Sequence, residues 1–472
     1  MILVTSDSAL NTSEGKFESS LHDSSCKSYE TVFSRLLEAV GNHSPHPDTH
    51  FTLSLTGETS QFTRFSRAKV RQTGQVRDGK LRLTLSTAEQ TASASVPFVG
   101  EFEADWVIAQ QALTTLQQEL PQLPVDPYVV LPSKAEASRT REVRSGHLLA
   151  ATSVAETLIA PVRDLDFSGL YAAGTAYRAY GDSADNRHWF ETPSFTLDYS
   201  LFGECTGQAV KGILAGHQWD PSAYDQSIAV AQRQLALLAR PLKAVARGDY
   251  RTYLAPTAVA DLIDTLVWGG LGEAALRQGN SAFSRLEQGD AFLSDQFSLR
   301  EDFQRTAVPR FNGNGAIAPS TLPIIQQGRW ANALVSDRSA KEYGKPSNAA
   351  NRRESMRAPA VAPGQMPDSE VLARLDTGLY LSNLHYLNWS DLTAGRITGM
   401  TRYACFWVER GEIVAPIENL RFDDNFYRFL GEGLMALTDH QTFAPTVDTY
   451  ERRSLGGMWT PGMLIDQFRY TL

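Results

Sequence analysis

The chain has 472 residues, a net charge of -9, and hydrophobic and charged contents of 42% and 21%. That length exceeds one ordinary core and predicts two or three globular domains. The acidic balance argues against a general nucleic-acid binder, and the lack of any apolar run near 18 residues argues against a membrane span.

The N-terminus MILVTSDSALNTSEG has no basic region leading into an apolar core, so no secretory signal is expected. Three scattered cysteines, Cys26, Cys205 and Cys405, form no disulfide framework and fit a reducing cytoplasm. Residues 1–28 are polar and Ser-rich and read as a loose N-terminal segment. A first helix is predicted from Tyr29 to Val40, because Val32, Phe33, Leu36, Leu37 and Val40 share one helical face. From Phe51 to Val99 apolar and polar residues alternate, and Gly57, Gly74 and Asp78-Gly79 are read as turns between short strands. A second helix follows over Glu101–Leu120, completing an α+β domain over residues 29–120, a sandwich-like pairing of antiparallel sheet and helices.

Residues 121–165 read as a linker, proline-rich at first and then mixed in charge from Lys134 to Arg144, with a connecting helix over Leu148–Ile159. Residues 166–472 read as a larger, mainly antiparallel β domain. Within it, Asp220 and Pro221 start a helix with the stripe Tyr224, Ile228, Ala231, Leu235 and Leu238, which Pro241 ends. A strand over Tyr250–Leu254 leads to a helix from Pro256 to Trp268, with Val259, Leu262, Ile263 and Leu266 inward. The segment Arg352–Pro367, with Arg352, Arg353 and Arg357, reads as a surface excursion.

Candidate chemistry is sparse. Of nine histidines, only His43, His46 and His50 have ligand-like spacing, and two intervening prolines forbid a helical His-x-x-x-His face. The bland alternative is a polar turn. His188, His217, His385 and His440 are isolated, and His385 is expected to be half-buried on a strand. No Gly-x-Ser-x-Gly elbow or phosphate-binding loop occurs, Ser24-x-x-Lys27 reads as a chance match, and Gly313-Asn-Gly315 is no dinucleotide fingerprint. Cys405 sits in an apolar run and reads as packing. Asp423 and Asp424 are adjacent and point to opposite faces of a strand, so a salt-bridged turn with Arg421 and Arg428, or an N-cap at Asp424, is expected.

The C-terminal half has a more specific likeness. The segments DYRTYLAPTAVADLIDTLVWGG, ALVSDRSAKEYG, YLSNLHYLNWSD and RFDDNFYRFLG resemble the TldD/PmbA family of zinc-dependent peptidases, in particular its TldE-like (PmbA-like) branch; FTRFSRAKVRQTGQV is a weaker match in the first domain. The resemblance implies an α+β N-terminal domain before a mainly antiparallel β domain. It further implies a two-chain cytoplasmic enzyme that processes unfolded or modified peptides, with zinc held by a TldD-like partner. Substrate would add as a β-strand, a mode that tolerates varied sequences. A homodimer is the alternative assembly without that partner.

TldD-like relatives carry His-Glu-x-x-x-His on a helix, where two imidazoles face one ion and the Glu polarises water. Counting back from Ser281-Ala282-Phe283, which resembles a Ser-Ala-Phe-type sequence of those relatives, places the three positions at Asp264, Thr265 and Gly269. No histidine lies between His217 and His385, so no register of this helix restores the motif. The chain is therefore expected to hold no cofactor or metal of its own, to have no catalytic residue and to be inactive without its partner. Two other readings stay open: a self-sufficient metallopeptidase using His43, His46 and His50, and a peptide-binding module without catalysis.

Overall fold

A computed structural model describes residues 20–43, 48–203 and 207–471. The helix α1 (Ser20–His43) begins inside the segment read as loose, and its predicted face is buried from Val32 to Val40. Strands β1 (His50–Ser66), β2 (Lys69–Ser86) and β3 (Thr91–Pro97) follow, then α2 (Phe102–Glu119). The expected turns at Gly57, Gly74 and Asp78-Gly79 are absent. Gly57 pairs with Gly79, and Phe62 with Gly74, inside two long strands. Gly57 and Gly79 mark close approach instead: a Cβ at Gly79 would lie 2.5 Å from the Phe98 carbonyl oxygen. The reversal falls at Arg67 and Ala68, both with positive φ, where the sequence carries no glycine or asparagine.

The expected linker is part of the sheet. Strand β4 (Arg139–Val143) lies parallel to β6 (Arg187–Phe202), and its arginines pair with Glu30 and Asp185. The connecting helix α3 is shorter than expected, Val154–Ile159. The boundary at 166 also fails. Strand β5 (Asp166–Asp182) pairs antiparallel with β1 along fourteen residues, from Thr52↔Asp182 to Phe65↔Gly169. With β7 (Ala209–Gly216) beside β6, the N-terminal sheet runs β3-β2-β1-β5-β6-β4 and extends well past residue 166. This pairing buries Tyr177 and Ala179 with Leu53, Leu55 and α1, so the core is completed only by the later strands. Helix α4 (Pro221–Leu238) starts as its cap predicts, with Asp220 Oδ1 accepting the Ser222 N–H at 2.9 Å.

The C-terminal half contributes β8 (Gly248–Leu254), helix α5 (Pro256–Val267), β9 (Leu299–Asp302), β10 (Thr321–Gln326), β11 (Arg329–Trp330) and β12 (Pro359–Val361). It continues with β13 (Gly378–Asp391), β14 (Arg396–Glu409), β15 (Glu412–Pro416), β16 (Arg421–Asn425), β17 (Leu434–Leu437), β18 (Thr442–Pro445), β19 (Gly457–Thr460) and β20 (Met463–Tyr470). One sheet runs β11-β10-β9-β12-β19-β18. The expected excursion at Arg352–Pro367 therefore supplies a central strand, and Arg357 is half-buried, donating to the carbonyls of Phe311 and Ala349. In the last sheet the pairings β13–β8–β20–β16–β14–β13 close into a ring. Leu254, Leu379, Leu381, Cys405 and Ile465 share one core with α5, while Tyr253, Tyr380 and Leu464 alternate to the other face. The architecture is α+β, an N-terminal helix-and-sheet region before a β-rich, mainly antiparallel remainder.

Candidate functional site

Helix α5 is the element on which the absent zinc motif would fall. Pro256 opens it, and Val259, Leu262, Ile263 and Leu266 are buried as the stripe predicts. The polar residues of the helix are Thr257, whose hydroxyl donates to the Ser382 carbonyl at 2.7 Å, and Asp261, Asp264 and Thr265. Beyond its end, Ser281-Ala282-Phe283 folds back onto Gly269 and Gly270: the Ala282 N–H donates to the Gly269 carbonyl at 2.8 Å and Ser281 Oγ donates to the Gly270 carbonyl at 2.6 Å.

The residues of α5, and Gly269 just beyond its end, do not fit a zinc ion. Gly269 has no side chain, and a Cβ built there would overlap the indole of Trp389 from β13. That indole stands edge-on to Phe426 at 6.0 Å. Thr265 is buried and donates its hydroxyl to the Asp261 carbonyl, one turn back, at 3.3 Å. Asp261 spends Oδ2 on the Leu384 N–H at 2.9 Å. Asp264 is the one carboxylate left to face open space. It lines a cavity of about 460 Å³ whose other walls include Arg178 on β5 and Met458 on β19. Enclosure by protein around that cavity raises its carboxyl above the usual range.

Asp261 is the more perturbed acid. Burial pushes its pKa up to about 7, with the Asp264 charge adding and the Leu384 N–H, Asn383 and Lys211 opposing. From an ordinary value of 3.8 to about 7, the unfolded chain has lost a proton that the fold retains. The stability tied to Asp261 is thus complete below 3.8 and falls as pH rises through that window. Asp261→Asn is expected to gain on the wild type steadily between those pH values in urea denaturation. A difference that stays constant with pH would refute the assignment.

The histidines are dispersed. His43 is exposed, shares Nδ1 with the Ala39 carbonyl at 2.8 Å and packs on Trp106. His50 pairs Nδ1 with Ser183 Oγ at 3.2 Å, and His46 lies outside the described residues. His188 is buried between Thr140 Oγ1 and the Gly315 carbonyl, and burial lowers its pKa. His385 is exposed rather than half-buried, because a register shift in β13 places it beside Tyr386, whose φ is 51°. Among the described residues, three possible metal ligands converge at Asp368, Asp439 and His440; all are exposed and none belongs to α5. Cys405 is buried, and its thiol is pushed up to about 11. Cys205 lies outside the described residues, as does the side chain of Cys26. Asp424 pairs with Arg428 and Asp423 with Arg396 rather than Arg421, while the cap of the next helix is Asn425. Sequence reasoning missed Trp389, Asp261 and Arg178; the first is signalled only by the aromatic density of the YLSNLHYLNWSD segment.

Comparison with known proteins adds three findings. Residues 247–471 match the model of the PmbA/TldA metallopeptidase C-terminal domain. The fold is similar to TldE from Thermococcus kodakarensis, with a TM-score of 0.77 at 13% identity, covering 93% of this chain and 100% of that one. It is also similar to candidate modulators of DNA gyrase from Thermotoga maritima (TM-score 0.74, 12% identity, 94% and 100% covered) and Bacteroides thetaiotaomicron (0.73, 14%, 94% and 98%). No curated protein sequence matches. Among the described residues no helix is long and apolar enough to cross a membrane.

Proposed function

We propose that this chain, which belongs to the TldD/PmbA metallopeptidase family and has a TldE-like fold, is the non-catalytic subunit of a two-chain zinc peptidase acting on unfolded or modified peptides in the cytoplasm. The observation that carries the reading is the Trp389 indole over Gly269. A chain that ligated zinc from α5 would need side chains at Asp264, Thr265 and Gly269 that converge on an ion. Here one position is filled by an aromatic ring from another strand, one is a hydroxyl bonded into its own helix, and one is a lone carboxylate. The partner then supplies the metal, and this chain supplies surface that encloses and aligns the peptide.

The test is reconstitution. The isolated chain is expected to carry near-zero zinc by elemental analysis and to leave unfolded peptides intact. Mixed with a TldD-like subunit, it is expected to co-elute with it and to produce chelator-sensitive cleavage. About one zinc per isolated chain, or chelator-sensitive cleavage by the chain alone, would overturn the proposal in favour of a self-sufficient metallopeptidase, with His43, His46 and His50 the first ligands to replace. Peptide affinity without turnover, unchanged by the partner, would make the chain a binding module.

A further inference from the structure

The cavity beside α5 contains a cation that the fold does not neutralise. Arg178 on β5 lines it and, among the described residues, donates only through Nη1, to the Gly57 carbonyl at 3.2 Å and the Tyr177 carbonyl at 2.7 Å. No carboxylate lies within ion-pair distance among the described residues. Glu58, the acid whose charge acts on it, is already held by Arg453, which pairs with it at 3.4 Å and donates its backbone N–H to both oxygens at 3.2 Å. Arg452 adds a further positive charge nearby. Burial and these like charges pull the Arg178 pKa down to about 10.

Arg178 is half-buried, and its Nε and Nη2 have no protein acceptor among the described residues, so the guanidinium is left with donors for an anion entering the cavity. The rest of the cavity indicates which anion. Val267, Val308, Phe311 and Met458 make its walls largely apolar, and about 460 Å³ accommodates a small organic body. Asp264, on another wall, is an acceptor for an N–H further along such a ligand. We infer that this cavity binds a carboxylate carried on an apolar body, with Arg178 as its planar, two-pronged anchor. Resting on the peptide-processing reading, the assigned source is the free C-terminus of a peptide ending in an apolar residue. The site would then fix which end of a substrate enters the assembly.

Calorimetric titration of the full-length isolated chain tests this with three probes: an N-acetylated tripeptide ending in phenylalanine with a free carboxylate, the same tripeptide as its C-terminal amide, and octanoate. The free acid is expected to bind at least about tenfold more tightly than the amide, since charge-assisted hydrogen bonds are lost. Arg178→Gln, checked for folding by its melting transition, is expected to bind acid and amide alike. Met458→Trp, which fills the cavity and leaves Arg178 in place, is expected to abolish binding of both, so the inference stays testable if Arg178→Gln fails to fold. Equal affinity of the wild type for acid and amide overturns it, as does discrimination that survives in Arg178→Gln. Octanoate binding more tightly than the tripeptide acid keeps the carboxylate site and overturns its peptide source. A chain that activates a TldD-like partner yet ignores the carboxylate refutes this inference alone; one that discriminates acid from amide but joins no partner refutes the subunit reading alone.

Discussion

A histidine installed at position 269 is expected to destabilise the fold by about 1–3 kcal/mol, the range for forcing atoms into a packed site. The backbone carbonyl of Leu266 lies 3.1 Å from the added Cβ on one side, and the Trp389 ring overlaps it on the other. The ring has little room to give, because Phe426 stands against it and is itself packed on Phe283 at 5.1 Å. Trp389→Ala alone is expected to cost about 3–5 kcal/mol by opening a void. Combining it with Gly269→His should cost clearly less than the two losses added, since the imidazole enters space the indole vacates. Urea denaturation of the four proteins measures that coupling. Additive losses would mean that Trp389 does not occupy the position, and the argument that α5 is sealed against a metal ligand there would fall with it.

Much of the local structure is legible in the residues, and the reason is periodicity. The stripes of α1, α4 and α5 are buried nearly as read: Val32 to Val40 on the first, Tyr224, Ile228, Ala231 and Leu238 on the second, Val259 to Leu266 on the third. Asp220 caps its helix because a side-chain oxygen before Pro221 has an orphan N–H to satisfy. What stays hidden is long-range. Nothing in FTLSLTG indicates that it pairs with a strand more than a hundred residues later, yet the pairing of β1 with β5 decides where the N-terminal region ends. Glycine misleads for a related reason: Gly57 and Gly79 resemble turn residues locally, but each is required by what lies opposite it across the sheet. The site is legible only in part. The chemistry of α5 can be read from the absence of histidine, whereas the ring that covers Gly269 comes from a strand 120 residues away, and the charge on Arg178 matters only once Glu58 is seen to be taken.

Replacing Arg453 by alanine is expected to cost about 3–5 kcal/mol, the range for removing one partner of a buried pair. Arg453 lies in the chain between β18 and β19, yet its side chain is 3% exposed because it enters the N-terminal sheet. Its Nε donates to Ser60 Oγ at 2.8 Å, Nη1 to the Ser194 carbonyl at 3.0 Å and Nη2 to the Gly174 carbonyl at 2.8 Å. One side chain thus joins β1, β5 and β6 to the C-terminal half. Alanine would leave the Glu58 carboxylate buried without its countercharge, held by the Ser60 hydroxyl and the backbone N–H of position 453, and would take the donor from the Ser194 and Gly174 carbonyls; the uncompensated buried charge, more than any lost attraction, sets the size of the effect. The double change Arg453→Met with Glu58→Gln removes both charges and keeps most of the volume. It is therefore expected to recover a large part of the loss, as buried pairs replaced whole often do. Urea denaturation of each variant decides the matter. A loss below about 1 kcal/mol for Arg453→Ala would place the pair among weak surface bridges, and would remove the reason to treat the N-terminal sheet and the C-terminal half as one fastened unit around the cavity.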